Sequence, residues 1–407
     1  MLACAFTGFA SGLPLFVLLQ LVQAWLRDEG VGLAEIGLFA LAQLPYTWKF
    51  IWSPLAERYP LPFLGRRRGW MLVTQVALVL SFAAFGYFDP ALDVRWIFIV
   101  ALLVGFFSAS QDIVIDAYRR ELLPTEAELA LGNSIHVQVY RIAGFIPGSL
   151  GLILADFLPW SAVFWIMSGF MLIGVVTTLT IREAVLNPEI PPSLRAAIVE
   201  PFREYISRRG LGYALLVLVF LFAYKFGDTM ATALSTSFYL DLGFSKTEIG
   251  VVAKNAGFWP ALVGGLAGGL LIVKIGINRG LWLFGAVQLV TILGFAFLAQ
   301  AGNNLVVLAV VIAAEYLGVG LGTAAFVAFI ARETSPVLAA TQFALFSAVT
   351  ALPRTLTAAA TGWLVELVGW VEFFYWCAAF ALPGMLLLIW VAPFTAPTDS
   401  QEQSAPR

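Results

Sequence analysis

Apolar positions in this chain run on for twenty residues or more at a time, and the polar positions gather between the runs. Neither the two-residue alternation of a half-buried strand nor the three-to-four-residue stripe of a surface helix dominates. A bilayer core of about 30 Å is crossed by about 20 apolar residues in a helix. Dividing the runs at proline, glycine and charge clusters predicts twelve spans: 2–25, 34–56, 70–88, 96–118, 131–155, 160–181, 211–239, 247–273, 280–300, 304–330, 338–365 and 371–392. Runs of this length exclude a transmembrane β-barrel, whose strands alternate over about 10 residues. The fold class is all-α and integral to a membrane.

Composition agrees. Of 407 residues 60% are hydrophobic and 12% charged, with a mean hydropathy of +0.89, well above the ~45–50% apolar content of soluble domains. The net charge of −2 says little, but the charges are not evenly placed. Arg58, Arg66, Arg67, Arg68, Arg119, Arg120, Arg182, Arg195, Arg203, Arg208, Arg209, Lys274, Arg279 and Arg332 fall in alternate loops, and the opposite loops hold only Arg27, Arg95 and Lys246. The positive-inside rule makes the arginine-rich side cytoplasmic, with both termini on it. Cys4 and Cys377 lie in apolar spans and are read as packing residues rather than a disulfide. The chain opens directly into its first span, without a cleavable signal.

The sequence is written twice. Glu35, in Gly32-Leu33-Ala34-Glu35-Ile36-Gly37, recurs 213 positions on as Glu248 in Ser245-Lys246-Thr247-Glu248-Ile249-Gly250. Arg120-Glu121 recurs 212 positions on as Arg332-Glu333, Arg141 recurs 213 on as Arg354, and Trp160 recurs 210 on as Trp370. A repeat of six spans preserves orientation, so the halves are parallel. The predicted organisation is a six-helix half over 1–182, a cytoplasmic linker over 183–209, a second half over 210–392 and a disordered polar tail over 393–407. In the linker, Leu194, Ala197, Ile198, Phe202, Tyr205 and Ile206 fall at helical spacing among arginines, which predicts either an amphipathic helix on the membrane surface or a plain solvated helix. Two parallel six-helix halves joined on the cytoplasmic side are the major facilitator architecture.

One loop strengthens that assignment. Glu57-Arg58 followed by Gly65-Arg66-Arg67-Arg68-Gly69 resembles the major facilitator loop motif, with Glu57 where aspartate is usual, and Gly269, Lys274, Gly276 and Arg279 form a worn second copy. Glu57, Arg58 and Arg66, with Asp116 and Arg119 at the neighbouring helix end, are candidate gating residues, where ion pairs form and break at the cytoplasmic side.

Charges inside the spans indicate a polar path, because a charge at the centre of a bilayer costs roughly 2.5–3.5 kcal/mol on insertion scales. Counted at 1.5 Å per residue, Arg141, Lys225, Asp228, Glu315 and Arg354 come out near the midplane. Lys49 lies slightly to the cytoplasmic side, Lys254 slightly to the outer side, and Asp112 in the cytoplasmic third. Five cations against three carboxylates leave a positive excess, which suits an anionic substrate. Lys49, Arg141, Lys225, Lys254 and Arg354 are the candidate binding residues, with Tyr46 among the aromatic residues placed to stack on a ring. Desolvation favours the neutral form of a carboxylic acid, so Glu315, Asp112 and Asp228 are candidates for proton coupling. Lys225 and Asp228, three apart, can also pair with each other. His136 is the only histidine. No Ser/His/Asp set, metal-ligand spacing or phosphate loop is present, so neither an enzyme nor a cofactor is expected beyond the proton as coupling ion, and no nucleic-acid partner.

Several long motifs then carry a closer likeness. Gly8-Phe9-Ala10-Ser11-Gly12-Leu13-Pro14-Leu15, Tyr46-Thr47-Trp48-Lys49-Phe50-Ile51-Trp52-Ser53-Pro54-Leu55, Ala109-Ser110-Gln111-Asp112-Ile113-Val114-Ile115-Asp116-Ala117-Tyr118-Arg119, Tyr224-Lys225-Phe226-Gly227-Asp228 and Ala340-Thr341-Gln342-Phe343-Ala344-Leu345 resemble the AmpG-type muropeptide permeases over nearly the whole chain. The resemblance implies a monomeric proton symporter in the bacterial inner membrane. It would import N-acetylglucosaminyl-1,6-anhydro-N-acetylmuramyl peptides for peptidoglycan recycling and, where a β-lactamase is inducible, for its induction. Some members of that family carry two further spans, and their usual short basic lead is missing before Met1, which leaves open a start upstream of it. The alternative is a transporter of another large anion, since the acetyl-CoA transporters share parts of the pattern.

Overall fold

The computed structural model describes residues 1–53, 61, 63–123, 126–183, 203–334 and 339–394. Among them all regular structure is helical, and ten helices are long and apolar enough to cross a membrane. These include α1 (Leu2–Asp28), α3 (Arg66–Phe85), α4 (Pro90–Leu122), α5 (Leu131–Ala155) and α6 (Trp160–Thr180). After the linker helix α7 (203–209) come α8 (Leu211–Asp241), α9 (Lys246–Ile275), α10 (Ile277–Ala301) and α11 (Leu305–Glu333).

Two of the twelve expected spans do not stand as separate long helices among the described residues. The stretch after Gly32, α2, is a succession of short α and 3-10 turns over 33–51, too broken to count as one long helix. At the other end, two expected spans run on as one helix, Ala339–Val391, divided only by Gly369 (φ 78°, ψ 166°). Its arms are α12 (339–368) and α13 (370–391). A left-handed φ is open to glycine at little cost and closed to most side chains, so Gly369 turns the chain without a loop.

Helix ends obey local rules in both repeats. Asp28-Glu29-Gly30 ends α1 and Asp241-Leu242-Gly243 ends α8, with Gly30 and Gly243 both at φ 83°. The Glu248 copy of the recurring motif is a helix start: Ser245 and Glu248 form a reciprocal capping box at the N-terminus of α9. In the first copy Gly32 occupies the cap position, with Glu35 in the first turn. Asp89 caps α4 by accepting from Ala91 N, and Asn304 caps α11 by accepting from Val306 N and Val307 N.

Contacts divide the chain into two units. The first comprises Met1–Ile190 with the short segments Tyr239–Asp241 and Ser245–Val251; the second comprises Pro191–Phe238, Leu242–Phe244 and Val252–Arg407. Ion pairs fasten the short segments into the first unit: Arg27 to Asp241, and Lys246 to Asp28 at 2.9 Å and Asp156 at 3.8 Å.

Within each unit, small residues bring helix backbones together. A Cβ on Gly8 or Gly12 of α1 would lie 2.5 or 2.4 Å from the carbonyl oxygens of His136 or Tyr140 on α5. In the second unit, Gly264 of α9 meets Leu317 O and Gly320 of α11 meets Ala261 O at 2.3 and 2.4 Å by the same measure. Close backbone approach of this kind is the usual membrane solution, since lipid supplies no hydrophobic drive between helices. Large apolar side chains such as Leu80, Leu270, Val273, Trp363 and Trp390 stand exposed, as hydrocarbon contact allows and water would not.

Candidate functional site

In the first unit, the polar residues of α4 meet α1, α2 and α5. Asp112, half-buried, accepts from Ser11 Oγ at 2.5 Å. It lies within electrostatic reach of Lys49, on the last 3-10 turn of α2, and of Asp116 and Arg119. Trp52 Nε1 donates to Ser110 Oγ at 3.0 Å. One turn further on, Arg119 Nη2 donates to Asp116 Oδ1 at 2.8 Å, while its Nε donates to Asn133 Oδ1 on α5. Arg119 thus pairs with Asp116; Glu57 and Arg58 lie outside the described residues. Tyr46 is half-buried and Arg141 exposed. His136 is buried against the Gly8 backbone.

The end of this unit where α3 begins and α4 ends holds an ion pair that the candidate residues did not include. Arg67, on the first turn of α3, donates through Nε at 3.0 Å and through Nη2 to Glu121 Oε1 at the end of α4. The two side chains are only 3% and 7% exposed. Glu183, just after α6, accepts from Arg67 N at 2.7 Å and Arg68 N at 3.1 Å, placing a carboxylate on the positive end of α3. Arg68 Nε in turn donates to Thr178 O at the end of α6, at 2.9 Å. Three successive arginines thus separate in role: Arg67 turns inward, Arg68 ties α3 to α6, and Arg66 is half-buried. Identity and spacing alone do not distinguish them. The signal that was available is Glu121, which recurs as Glu333 in the repeat.

In the second unit, α8 is interrupted where its charges lie. The helix closes at Tyr224, Lys225 takes φ −100° and ψ 3°, and a new segment, Phe226–Ala233, begins. Asp228 is in the first turn of that segment, and Lys225 Nζ donates to its Oδ2 at 3.0 Å. The pair forms across a break rather than along a continuous helix. Gly227 marks the spot: a Cβ there would lie 2.4 Å from Cys377 O on α13.

Glu315 of α11 is fully buried, and neither of its carboxylate oxygens has a close hydrogen-bond partner. Thr291 and Asp228 are the side chains in reach of a weak hydrogen bond to it, and Asp228 and Lys225 act on it electrostatically. No ion pair of Glu315 occurs among the described residues; Lys225 is engaged by Asp228 instead. Lys254, at the first helical residue after a π-turn in α9, is half-buried. Arg354 lies outside the described side chains. Tyr224, next to Lys225, is committed to the core: it stacks on Phe326 at 5.6 Å, and its hydroxyl donates to Leu281 O. Among the described residues no group of three or more metal-ligating side chains occurs.

The chain matches the Major Facilitator Superfamily model over residues 2–356. It is 50% identical over 406 residues to an uncharacterized protein of Haemophilus influenzae, covering 97% of this chain and 94% of that one. It is 39% identical over 384 residues to the anhydromuropeptide permease of Escherichia coli K12, covering 94% and 77%. It is 30% identical over 394 residues to the putative transporter AmpG 4 of Rickettsia felis, covering 94% of each. Among solved structures it superposes on a mutant of the nucleoside transporter NupG with a TM-score of 0.74 at 13% identity, covering 96% of this chain and 99% of that one. On the D-xylose-proton symporter the TM-score is 0.70, again at 13% identity, covering 98% of each. At such identity these likenesses establish the fold. The curated relatives with a named activity are permeases and transporters, which puts this multi-pass membrane protein among transporters and not enzymes.

Proposed function

We propose that this chain, which belongs to the AmpG-type permease family of the major facilitator superfamily, imports 1,6-anhydromuropeptides across a bacterial inner membrane by symport with protons. The observation that carries the substrate class is the 39% identity to the E. coli anhydromuropeptide permease, spread over 94% of this chain rather than confined to one motif. The chemistry is compatible with it. Peptide carboxylates need cationic partners, for which Lys49, Arg141, Lys254 and Arg354 are proposed, and the sugar rings offer a face to Tyr46.

Glu315 is proposed as the proton carrier. A carboxyl group held out of water with no close donor on either oxygen is suited to take up one proton and release it when its neighbours shift. The Lys225–Asp228 pair, 3.0 Å apart and within electrostatic reach of Glu315, is the natural element to shift. Asp112, already bound by Ser11, is the second candidate. Arg67–Glu121, with Asp116–Arg119 beside it, is proposed as the cytoplasmic gate of the first unit. The protein would act as a monomer with both termini cytoplasmic, and its import would feed peptidoglycan recycling and β-lactamase induction.

Uptake of labelled anhydromuropeptide into proteoliposomes, with and without an imposed inward proton gradient, tests the reading. Uptake that rises with the gradient supports substrate and symport together. Uptake indifferent to the gradient removes symport, and absence of uptake by folded protein removes the substrate.

A further inference from the structure

The two copies of the loop motif are not equally equipped. Aligned on their glycines, Gly65-Arg66-Arg67-Arg68-Gly69 matches Gly276-Ile277-Asn278-Arg279-Gly280, so Asn278 stands where the first half has Arg67. Glu333 stands where the first half has Glu121. An asparagine amide cannot neutralise a carboxylate, and Asn278 is turned elsewhere, accepting from Arg332 Nη1 through Oδ1 at 2.7 Å. Yet the side chain of Glu333 is 2% exposed, as deeply buried as that of Glu121. A carboxylate so buried is strongly destabilising without charge partners of its own.

Glu333 finds them chiefly in the linker, with Tyr213 of α8 as a further hydrogen-bonding neighbour. Tyr205 Oη donates to Glu333 Oε2 at 3.0 Å, and Arg209 Nε lies 3.6 Å from the same oxygen. Arg332, its own neighbour, reaches Oε1 at 3.8 Å. Arg208 Nη2 donates to the Glu333 carbonyl at 2.8 Å, capping the end of α11. Tyr205 is 3% exposed and packs edge-on against Phe346 at 5.0 Å. Burial and the adjacent carboxylate hold its phenol far above the ordinary range, so it remains a donor.

The geometry points to α7 being a structural part of the second unit, in which Tyr205 and Arg209 act as positioning residues that supply to Glu333 the partner the second loop motif does not. The linker is then not a passive tether: its last two turns complete the end of α11, as Arg67 completes that of α4.

The test uses the full chain in detergent. Tyr205→Phe combined with Arg209→Gln should raise the rate of tryptic cleavage after Arg203 and Arg208 about tenfold, the factor that a hydrogen bond to a charged group represents, and should lower the unfolding midpoint. Arg209→Lys alone should leave both near wild type. Adding Asn278→Arg to the double variant should restore the midpoint, because Glu333 regains a guanidinium from the position used in the first half, while the linker stays cleavable. Unchanged cleavage in the double variant would overturn the inference. So would a triple variant that fails to recover the midpoint, or one whose linker is protected again.

Discussion

Single side chains divide the charged residues of this protein by how they are satisfied. Asp112, Asp116, Asp228 and Glu121 each have a named donor within 3.0 Å, whereas Glu315 has no such close donor, only Thr291 and Asp228 in weaker reach. That contrast underlies the choice of Glu315 as proton carrier. Glu315→Gln, which keeps shape and removes titration, is expected to abolish gradient-driven accumulation while leaving counterflow exchange of substrate intact; retained accumulation in proteoliposomes would exclude Glu315 from coupling. For the buried Arg67–Glu121 pair, Glu121→Gln should lower stability by about 3–5 kcal/mol, because it leaves a guanidinium uncompensated. The paired replacement Arg67→Met with Glu121→Leu should recover most of that loss in a thermal unfolding assay. Transport by the folded double variant then reports whether the pair gates or merely packs.

At the scale of elements, the irregularities matter more than the regular helices. The break at Lys225 faces its carboxylate partner from across a turn, and α2 gives up α-helical continuity where Tyr46 and Lys49 lie. In α2 Pro45 opens the turn that carries Tyr46, whereas the break at Lys225 has no proline. The break at Lys225 is adjacent to Gly227, where the backbone of α13 comes too close for a side chain, so neighbouring packing and not local propensity marks the place. Close packing of α9 on α11 follows the same logic. Gly320→Leu would drive a side chain into the Ala261 carbonyl, and overpacking of this kind costs about 1–3 kcal/mol. A fall in the unfolding midpoint at unchanged membrane insertion is expected, whereas Gly265→Ala, with open space around it, should be silent.

For the whole molecule, duplication is the organising fact. Landmarks repeat at 210 to 213 positions, and the matching turns at Gly30 and Gly243 repeat in conformation as well as in sequence. The six-span repeat that the sequence predicts would place both termini on one side. Tags at the two ends should therefore become protease-accessible together, in inside-out vesicles and not in right-side-out ones; opposite behaviour of the two tags would refute the even number of spans. The proposed symport makes a further demand on the intact protein: a protonophore should reduce anhydromuropeptide accumulation to equilibration without blocking entry.

Membrane residence, the twofold repeat, the family and the helix starts at Glu35 and Glu248 were legible from sequence, because each depends on composition or on residues close together in the chain. Pairs at helical spacing, Lys225 with Asp228 and Asp116 with Arg119, were legible for the same reason. Which of three consecutive arginines turns inward to Glu121, that Tyr224 belongs to the core, and that Tyr205 and Arg209 reach Glu333 from 128 and 124 positions away were decided by tertiary structure alone. A helix rotates every residue through a full circle in 3.6 steps, so the facing of a side chain is set by what packs against the helix, and the sequence around it does not contain that neighbour.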